Sequence, residues 1–380
     1  MKNERILAVH LLNDFSGSPF VLRQSLESLL KKGFKVELFT ATPGGKGFLS
    51  DIGTVKEHGI FYSWNKNKWI TLILFLYSQV SIFFKILLTA RKKDIVYINS
   101  ILPFGAALAA YIKRNKVVYH IHEVSIKPKP LKKFLLLVVN LTAQKVLFVS
   151  NDLKTRTSCL SPSTVVYNSL PDAFVQEALQ QQKGIQNDFM VLMLCSLKAY
   201  KGVFEFVACA EKLPMLQFCL VVNANSQSIE SFFKNQTLPA NLRIYPAQQD
   251  VHSFYRQAHL VMNLSRTEEW VETFGMTVLE AMYYQKPVIV PPVGGVTELV
   301  TNGVEGFQID SKDIKKLCEK IQLLATSPSL YHQMSGMAYK KALQFSPSSF
   351  QKQIVFEIES ISKKSTDLES IKKAYQLSLF

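Results

Sequence analysis

Short apolar runs rich in β-branched residues alternate with helical patterns along most of the chain, and this alternation constrains the fold more than any other feature. Such runs, bounded by turn residues, are typical of βαβ units with buried parallel strands. We expect strands at residues 6–10, 36–40, 95–99, 117–122, 146–150, 191–195, 218–223, 242–245, 260–264 and 288–291. The sequence therefore predicts an α/β protein with two successive parallel sheets.

The boundary between the two sheets is predicted near residue 172. Residues 164–172 and the polar stretch 180–187 have the composition of a connection between domains. A length of 380 residues accommodates two or three domains, and 48% hydrophobic residues suffice for a core in each. We predict an N-terminal domain over 1–172, a C-terminal domain over 173–345, and helices over 346–380 that cross back to the N-terminal domain.

Positive charge is concentrated in the N-terminal half. Residues 1–170 contain 24 Lys and Arg against 9 Asp and Glu, whereas residues 171–380 contain 20 of each. This asymmetry indicates an anionic partner for the first half: a membrane surface, nucleic acid or a phosphorylated substrate. The five cysteines are scattered without a C-x-x-C pair, and the polar first residues do not resemble a signal peptide. We therefore expect a cytoplasmic protein without a disulfide framework or a structural zinc site.

Two apolar segments lie among these basic residues. Residues 69–84 carry no charge over 16 positions, which is short of the roughly 20 needed to span a bilayer. A buried helix between two strands and an interfacial helix both account for this segment. A second block covers residues 131–139, and residues 85–156 contain 14 basic side chains against three acidic ones. This combination favours a membrane surface over nucleic acid, because RNP-type aromatics and zinc-finger spacing are both missing.

Two loops and one strand end carry polar residues in the N-terminal half. Residues 13–19 join the first strand to a helix, either as a phosphate-binding loop or as a tight turn with Ser18 as N-cap and Pro19 after it. Residues 44–47 lack the P-loop spacing and are interpreted as a loop. His120 and His122 share one face of a strand without a nearby third metal ligand, so one is expected to be packed and the other to touch substrate.

Glu272 and Glu280 mark the most informative segment. Gly275 is followed by a helical pattern, so Glu272 is predicted in the loop and Glu280 inside the helix. A carboxylate in an apolar helical run is costly unless it is hydrogen-bonded, which favours a polar ligand. The free N–H groups of Gly275, Met276 and Thr277 would supply an anion site beside it.

These motifs together resemble the retaining glycosyltransferases of the GT-B class usually called family 4. The resemblance rests on the spacing of Glu272 and Glu280, the Gly294-Gly295 loop with Glu298, the Lys201-Gly202 step, residues 166–168 and the loop 16–18. It spans about residues 5–345 and is similar in style to bacterial enzymes of capsule or surface polysaccharide assembly. It implies two Rossmann-like domains with a cleft between them.

The resemblance implies donor-site roles in the C-terminal half. Glu272 would contact the donor sugar, Glu280 the ribose hydroxyls and Lys201 the pyrophosphate, helped by the N–H groups of Gly275, Met276 and Thr277. Gln248 and Val251 belong to the segment that contacts the nucleobase, and Gly294 to the second flexible loop. Where the family commonly has an arginine, this chain has Ser196, so Lys198 is a candidate to replace the lost charge.

In the N-terminal half, the resemblance places His122 near the reacting sugar, and Gly17 and Ser18 in the loop that closes over the phosphates. It implies a hexosyl-type transferase that passes a sugar from a UDP- or GDP-linked donor to a lipid-linked acceptor by front-face displacement. The sequence contains no Asp-x-Asp motif, so no metal cofactor is expected. The alternatives are an epimerase or hydrolase on the same fold and a non-catalytic membrane-surface adaptor. The predicted location is the inner face of the cytoplasmic membrane.

Overall fold

The computed structural model describes residues 5–43, 45–123, 126–180 and 188–362. Gly44, most of the predicted connection at 180–187 and the end of the predicted terminal helices after residue 362 lie outside the described residues. The chain forms two compact units. Among the described residues, the first unit comprises residues 5–168 and 348–362, and the second lies within Ser169–Pro347.

The first unit is built on a parallel sheet. In its described residues the sheet has seven strands in the order β3-β2-β1-β4-β5-β6-β7. The strands are β1 Arg5–Leu12, β2 Lys35–Ala41, β3 Lys56–Gly59, β4 Ile95–Asn99, β5 Lys116–Ile121, β6 Lys145–Phe148 and β7 Ser163–Val165. Five helices accompany them: α1 Gly17–Lys31, α2 Lys68–Thr89, α3 Phe104–Ile112, α4 Lys129–Thr142 and α5 Asn151–Arg156. The central strands are apolar and buried, as expected for a sheet covered on both faces.

The second unit repeats this architecture. Its described residues form a six-stranded parallel sheet in the order β10-β9-β8-β11-β12-β13. The strands are β8 Met190–Cys195, β9 Gln217–Val222, β10 Leu242–Tyr245, β11 Leu260–Met262, β12 Val288–Val290 and β13 Gly306–Gln308. The helices are α6 Asp172–Gln180, α7 Val203–Lys212, α8 Ser226–Phe233, α9 His252–Gln257, α10 Met276–Tyr283, α11 Ile314–Thr326 and α12 Pro328–Ala342. The order is that of a doubly wound fold, in which ligands bind beyond the carboxyl ends of the strands.

The last described helix, α13 (Pro347–Ser362), packs with the first unit. Its residues Phe350, Ile354 and Ile358 are buried in the same core cluster as Ile6 of β1 and Tyr97 of β4. Three apolar side chains at helical spacing thus tie the end of the described chain to the first sheet.

All ten predicted strands are present, and their ends differ from the predicted ones by at most two residues. Three further strands, β3, β7 and β13, were not predicted because each is short and carries polar residues or glycine. β7 corrects the interpretation of residues 164–172 as connection, since Val146, Leu147 and Phe148 of β6 pair with Ser163–Val165. A three-residue strand at a sheet edge leaves little periodicity for sequence analysis to detect.

Residues 69–84 lie in α2, and of the two alternatives for this segment the buried helix is wrong. Only Ser78, Gln79, Ile82 and Ile86 of α2 are buried, and the inner face packs against α3. Its outer face exposes large apolar side chains: Trp69, Ile70, Leu72, Ile73, Leu76, Tyr77, Val80, Phe84 and Leu88. By length and composition alone, this helix of 22 residues could cross a membrane. Phe134, Leu137 and Leu141 of α4, which follows α3 in the packing order, are exposed as well.

Candidate functional site

The step after β8 brings Lys201 to the loop that follows β11. Ala199–Lys201 form a single 3-10 turn, and Gly202 then adopts a left-handed backbone with φ of 79°. A Cβ atom on Gly202 would lie 2.2 Å from the main-chain oxygen of Leu264. Glycine is therefore required here both by its φ value and by the close approach of the two loops.

An ion pair joins Lys201 to Glu272. The Lys201 Nζ lies 2.8 Å from Glu272 Oε2, and the two side chains are 16% and 17% exposed. Asn263 Nδ2 and Ser265 Oγ donate to the same carboxylate oxygen at 3.4 and 3.3 Å. Burial alone would raise the pKa of Glu272, but the charge of Lys201 and these hydrogen bonds outweigh burial and lower it. Glu272 is therefore a carboxylate at neutral pH.

Gly294 fixes the main chain of Glu272 from the loop after β12. The two residues form an isolated parallel β-bridge. Gly294 has φ of 107°, and a Cβ atom there would lie 2.4 Å from the main-chain oxygen of Glu272. Because β8, β11 and β12 are neighbours in the sheet, Lys201, Glu272 and Gly294 meet at one edge of it.

Two aromatic residues that sequence analysis missed complete this group. The Lys201 Nζ lies 5.0 Å from the centre of the Trp270 ring, and the Tyr200 ring stacks on Trp270 at 5.4 Å. The main-chain N–H of Arg266 donates to the main-chain oxygen of Tyr200, which joins the loop after β11 to the loop after β8. Such a contact between an ammonium and an indole stabilises the position of the lysine. The available signal was one of only three tryptophans, two residues before Glu272.

Helix α10 begins directly beside Glu272. Gly275 is its N-cap, and the Gly275 carbonyl accepts hydrogen bonds from the N–H groups of Val278 and Leu279. Among the described residues, the N–H groups of Met276 and Thr277 have no hydrogen-bond partner. Unpaired N–H groups at the start of a helix favour an anion.

Glu280 lies one turn further along α10 and contacts α9. Its Oε2 accepts a hydrogen bond of 2.5 Å from the Tyr255 hydroxyl. Burial raises the pKa of Glu280 to about 7, although this hydrogen bond acts in the opposite direction. The Tyr255 ring stacks on Tyr284 at 5.6 Å, which fixes the hydroxyl. The pKa values of Glu272 and Glu280 are therefore shifted in opposite directions.

Three other residues predicted for the donor site lie in the loops after β8 and β10. Lys198 is exposed in the loop after β8. Gln248 is exposed after β10 and donates to the Pro246 oxygen at 3.0 Å, and Val251 is the N-cap of α9. The main-chain N–H of Lys201 donates to the main-chain oxygen of Lys198 at 3.0 Å. Among the described residues, no side-chain hydrogen bond joins Lys198, Gln248 or Val251 to Lys201 or to either glutamate.

In the first unit, Asn99 links Ser18 to His122 through hydrogen bonds to both. His122 follows β5, and its Nε2 lies 2.9 Å from Asn99 Oδ1. Asn99 Nδ2 donates to the Ser18 oxygen at 3.1 Å. Burial lowers the pKa of His122 well below its usual value, and His120 and His10 lower it further. His120 is fully buried and pairs through Nδ1 with the Tyr97 hydroxyl at 2.7 Å, so it is the packed histidine of the pair.

The turn before α1 differs from the predicted tight turn. Helix α1 begins at Gly17, with Ser16 rather than Ser18 as its N-cap, so Pro19 is the third helical residue. Proline is tolerated there because the first N–H groups of a helix need no partner within the helix. Gly17 and Ser18 therefore belong to the first turn of the helix rather than to the loop before it. Gly47 lies in a loop that approaches Asn13, in agreement with the loop predicted at 44–47.

The described residues contain no group of three or more His, Cys, Asp or Glu side chains that could hold a metal ion. A pyrophosphate site without a required metal therefore stays a prediction. The structure places the candidate donor residues in the second unit and His122, Gly17 and Ser18 in the first.

Comparison with known proteins extends this picture. The family model for glycosyl transferases group 1 matches residues 175–341, and the model for Glycosyltransferase Family 4 matches residues 15–172. The putative glycosyltransferase EpsD of Bacillus subtilis is 24% identical over 205 residues, 52% of this chain and 52% of EpsD. The matched part thus spans about half the length of EpsD. The capsular polysaccharide biosynthesis glycosyltransferase CapM of Staphylococcus aureus is 24% identical over 94% of this chain and 96% of its own.

Solved structures show the same fold. The Anabaena protein Alr3699/HepE, solved in complex with UDP-glucose, superposes with a TM-score of 0.76 and 21% identity, covering 94% of this chain and 99% of its own. A sucrose-phosphate synthase from Thermosynechococcus elongatus superposes with a TM-score of 0.74 and 17% identity, covering 94% and 99%. With the two family matches covering most of both units, the chain belongs to the glycosyl transferases group 1 and has the GT-B fold.

Proposed function

We propose that the chain is a retaining hexosyl-type glycosyltransferase that moves a sugar from a UDP- or GDP-linked donor to a lipid-linked acceptor in surface polysaccharide biosynthesis. The observation that carries the proposal is the pairing of Lys201 with Glu272 beside the free N–H groups of α10. A cation, a carboxylate and a helix N-terminus at one sheet edge suit a ligand with both a diphosphate and hydroxyl groups. HepE was solved with UDP-glucose, and CapM is a glycosyltransferase of capsular polysaccharide biosynthesis, which supports the same class of donor and product.

Lys201 exchanges partners when the donor binds. Without ligand, its ammonium is neutralised by Glu272 at 2.8 Å. A diphosphate at the start of α10 attracts the ammonium, and Glu272 is then free to accept hydrogen bonds from hydroxyl groups of the sugar. Trp270 keeps the lysine side chain at this edge during the exchange. The cation and the helix N–H groups balance the charge of the leaving diphosphate, so no metal ion is required.

The reaction itself follows the front-face route. The bond between the anomeric carbon and the phosphate oxygen breaks, the bond to the acceptor oxygen forms on the same face, and the leaving phosphate takes the acceptor proton. Glu272 stabilises the positive charge that develops on the sugar, and the neutral His122 binds an uncharged hydroxyl group. Configuration is therefore retained.

The first unit binds the acceptor at the inner face of the cytoplasmic membrane. The α2 surface, defined as the exposed apolar residues of α2 listed above, belongs to a unit with a strong excess of basic residues, in which α2 packs on α3 and α3 packs on α4. Apolar side chains flanked by lysines are typical of helices that lie in a membrane interface. A protein held there reaches an acceptor whose lipid remains in the bilayer.

Turnover of UDP- and GDP-sugars with and without a polyprenyl-phosphate-sugar acceptor tests the function. A transferase releases nucleoside diphosphate and forms a glycosylated lipid with retained configuration only when the acceptor is present. Release without acceptor would identify a hydrolase, and interconversion of the nucleotide sugar would identify an epimerase. Binding without any turnover would indicate an adaptor and overturn the proposal.

Lys201→Ala should lower the affinity for the nucleotide that binds the parent by about tenfold or more, because it removes charge-assisted hydrogen bonds to the diphosphate. Calorimetry with UDP and GDP measures this loss. Lys198→Ala is the matched control, because Lys198 is exposed nearby. A large loss in the control would show that Lys198 stands in for the family's arginine.

The double variant Lys201→Ala/Glu272→Gln separates two causes of that loss. Glu272 without Lys201 is an unpaired carboxylate that repels the diphosphate, and the second substitution removes this repulsion. Partial recovery of affinity in the double variant is expected. Unchanged affinity in Lys201→Ala would contradict the assignment of Lys201 to the diphosphate.

Glu280 should make nucleotide binding depend on pH. Its pKa is raised by burial to about 7, and a ribose hydroxyl binds the ionised carboxylate more strongly than the acid. Affinity should therefore rise as the pH rises through about 7, with a proton released on binding. Calorimetry in buffers of different ionisation enthalpy measures that proton.

Glu280→Gln provides the control, because the titration of the nucleotide phosphates is the same in both proteins. The variant should bind nucleotide more weakly and release fewer protons. Without ligand it should also be more thermostable at alkaline pH, since an acid with a raised pKa in the folded state stabilises the protein less as the pH rises through that pKa. Weaker thermostability with unchanged affinity would show a purely structural role.

Ile73→Glu and Leu76→Glu on the α2 surface should weaken binding to liposomes, because a charged side chain resists burial among acyl chains. Leu160→Glu and Met215→Glu are matched controls, because these side chains are 88% and 90% exposed outside this surface. Co-sedimentation with liposomes measures binding. Equal losses in all four variants would reject the α2 surface as the membrane contact.

The same assay separates the electrostatic contribution. Binding to anionic liposomes should fall as salt rises, because the Debye length shrinks from about 10 Å at 0.1 M to about 3 Å at 1 M. Replacing Lys129, Lys132 and Lys133 of α4 by glutamate should weaken it further, since each basic residue near an anionic bilayer contributes about 1 kcal/mol. Equal binding to neutral and anionic liposomes would leave the apolar contact alone as the cause.

A further inference from the structure

We propose that Asn99 is a positioning residue that holds His122 in the Nε2–H form, so that His122 Nδ1 accepts a hydrogen bond from a substrate hydroxyl group. This inference rests on the proposed function, because the substrate it addresses is the sugar or the acceptor. Asn99 ends β4, beside β5, and its side chain is fully buried.

The Ser18 carbonyl fixes the orientation of the Asn99 amide. A main-chain carbonyl only accepts hydrogen bonds, so the amide atom 3.1 Å from the Ser18 oxygen is the donor Nδ2. The opposite orientation would place two oxygen atoms against each other. The Asn99 oxygen Oδ1 therefore faces His122.

The orientation of Asn99 in turn fixes the proton on His122. The His122 Nε2 lies 2.9 Å from Asn99 Oδ1, which has no hydrogen to donate. Nε2 must therefore carry the proton. In a neutral ring this leaves Nδ1 with a free lone pair.

Three features keep that lone pair available. Burial and the neighbouring His120 and His10 oppose protonation of His122 and lower its pKa. Among the described residues, Nδ1 of His122 has no hydrogen-bond partner. This atom is not fully buried, unlike the Nε2 atom of His120. His122 itself is half-buried. Nδ1 is therefore an acceptor that a ligand can reach.

The other titratable groups around the pair are consistent with a neutral His122. His10 of β1 has its Nδ1 3.0 Å from the Asn99 main-chain oxygen, to which it can donate, and 3.2 Å from Asn99 Nδ2, from which it can accept, so its tautomer decides between them. His120 of β5 is fully buried, and burial lowers its pKa to about 3. Glu123 accepts the main-chain N–H of His122 at 3.3 Å, and burial raises the pKa of its carboxyl group. Burial lowers the pKa of His10, although the charge of Asp14 acts in the opposite direction.

The network also links two parts of the proposed site. Ser18 lies in the first turn of α1, and His122 follows β5, yet one amide holds both. If a bound diphosphate displaced the first turn of α1, Asn99 would therefore move as well and change its hydrogen bond to His122.

The histidine ring itself is the first readout. Two-bond ¹H–¹⁵N correlation spectra of protein labelled with [¹⁵N]histidine distinguish the two neutral forms and the charged form, and His122→Gln assigns the signal. We expect neutral Nε2–H in the parent from about pH 6 to about pH 8. A neutral Nδ1–H ring or a charged ring in the parent would overturn the proposal without any need for a variant at Asn99.

Asn99→Asp tests the positioning role. A carboxylate beside Nε2 favours the charged ring, so Nδ1 gains a proton and no longer accepts a hydrogen bond. We expect a charged His122 at neutral pH and a fall in kcat/KM of about tenfold or more, with recovery at alkaline pH. A larger rise in the donor KM or in the acceptor KM shows which hydroxyl group His122 binds.

Asn115→Asp is the matched control. Asn115 is also buried in the first unit, and its amide donates to the main-chain oxygens of Arg91 and Asp94. The control should lose stability comparably while the His122 spectrum and kcat/KM of the folded protein stay parental. A parental spectrum in Asn99→Asp, or parental kcat/KM despite a charged ring, would refute the role of Asn99. Absence of turnover in the parent would refute the proposed function, while the spectra would still decide the ring state.

Discussion

The ion pair between Lys201 and Glu272 organises the carboxyl edge of the second sheet. Lys201 follows β8, Glu272 follows β11, and Gly294 after β12 fixes the main chain of Glu272. These three strands are adjacent in the sheet, so the pair joins the ends of neighbouring strands. The close approaches at Gly202 and Gly294 are what allow the loops to bring the charges together. A side chain at either glycine would push the loops apart and so separate Lys201 from Glu272, although neither charged residue is altered.

The energetics of this pair suit a binding site. Taking a lysine and a glutamate largely out of water costs free energy that their attraction recovers only in good geometry. Here Asn263, Ser265 and Trp270 supply the additional contacts. A bound diphosphate offers Lys201 an alternative partner at similar cost, so the exchange need not expose an unpaired charge.

Sequence analysis predicted the architecture because buried parallel strands leave a strong local signal. Runs such as Ile95–Asn99 and Leu242–Tyr245 were placed at their observed limits. The polar edge strand Lys56–Gly59 was missed, because its pairing with β2 is a tertiary effect and not a property of its own sequence. The exposure of α2 was left open for a similar reason. A helix that is apolar on all sides does not indicate which side is covered.

The candidate site was predicted in part. Glu272 and Glu280 are singled out by the sequence and Lys201 by the resemblance, but the hydrogen-bond partners of these three residues are not. The contact of Lys201 with Glu272 joins residues 71 positions apart, and Tyr255 and Glu280 are separated by 25. Asn99 was seen only as the last residue of a strand, because nothing in its neighbourhood along the chain indicates that it meets Ser18 and His122. Side-chain hydrogen bonds between distant loops depend on how the strands pair in the folded protein, and a single sequence does not show that pairing.

Burial shifts the pKa values of the histidines and of Glu280 in opposite directions, and both shifts favour the uncharged form. It lowers the pKa values of His10, His120 and His122, and it raises the pKa of Glu280 to about 7. In each case the neutral form is favoured, as expected for groups removed from water. Glu272 is the exception, because Lys201 keeps it charged. Burial therefore opposes charge on the three histidines and on Glu280, whereas Lys201 balances the charge of Glu272. Stabilisation from protonated Glu280 is lost as the pH rises through its raised pKa, and a ligand that binds the carboxylate restores it.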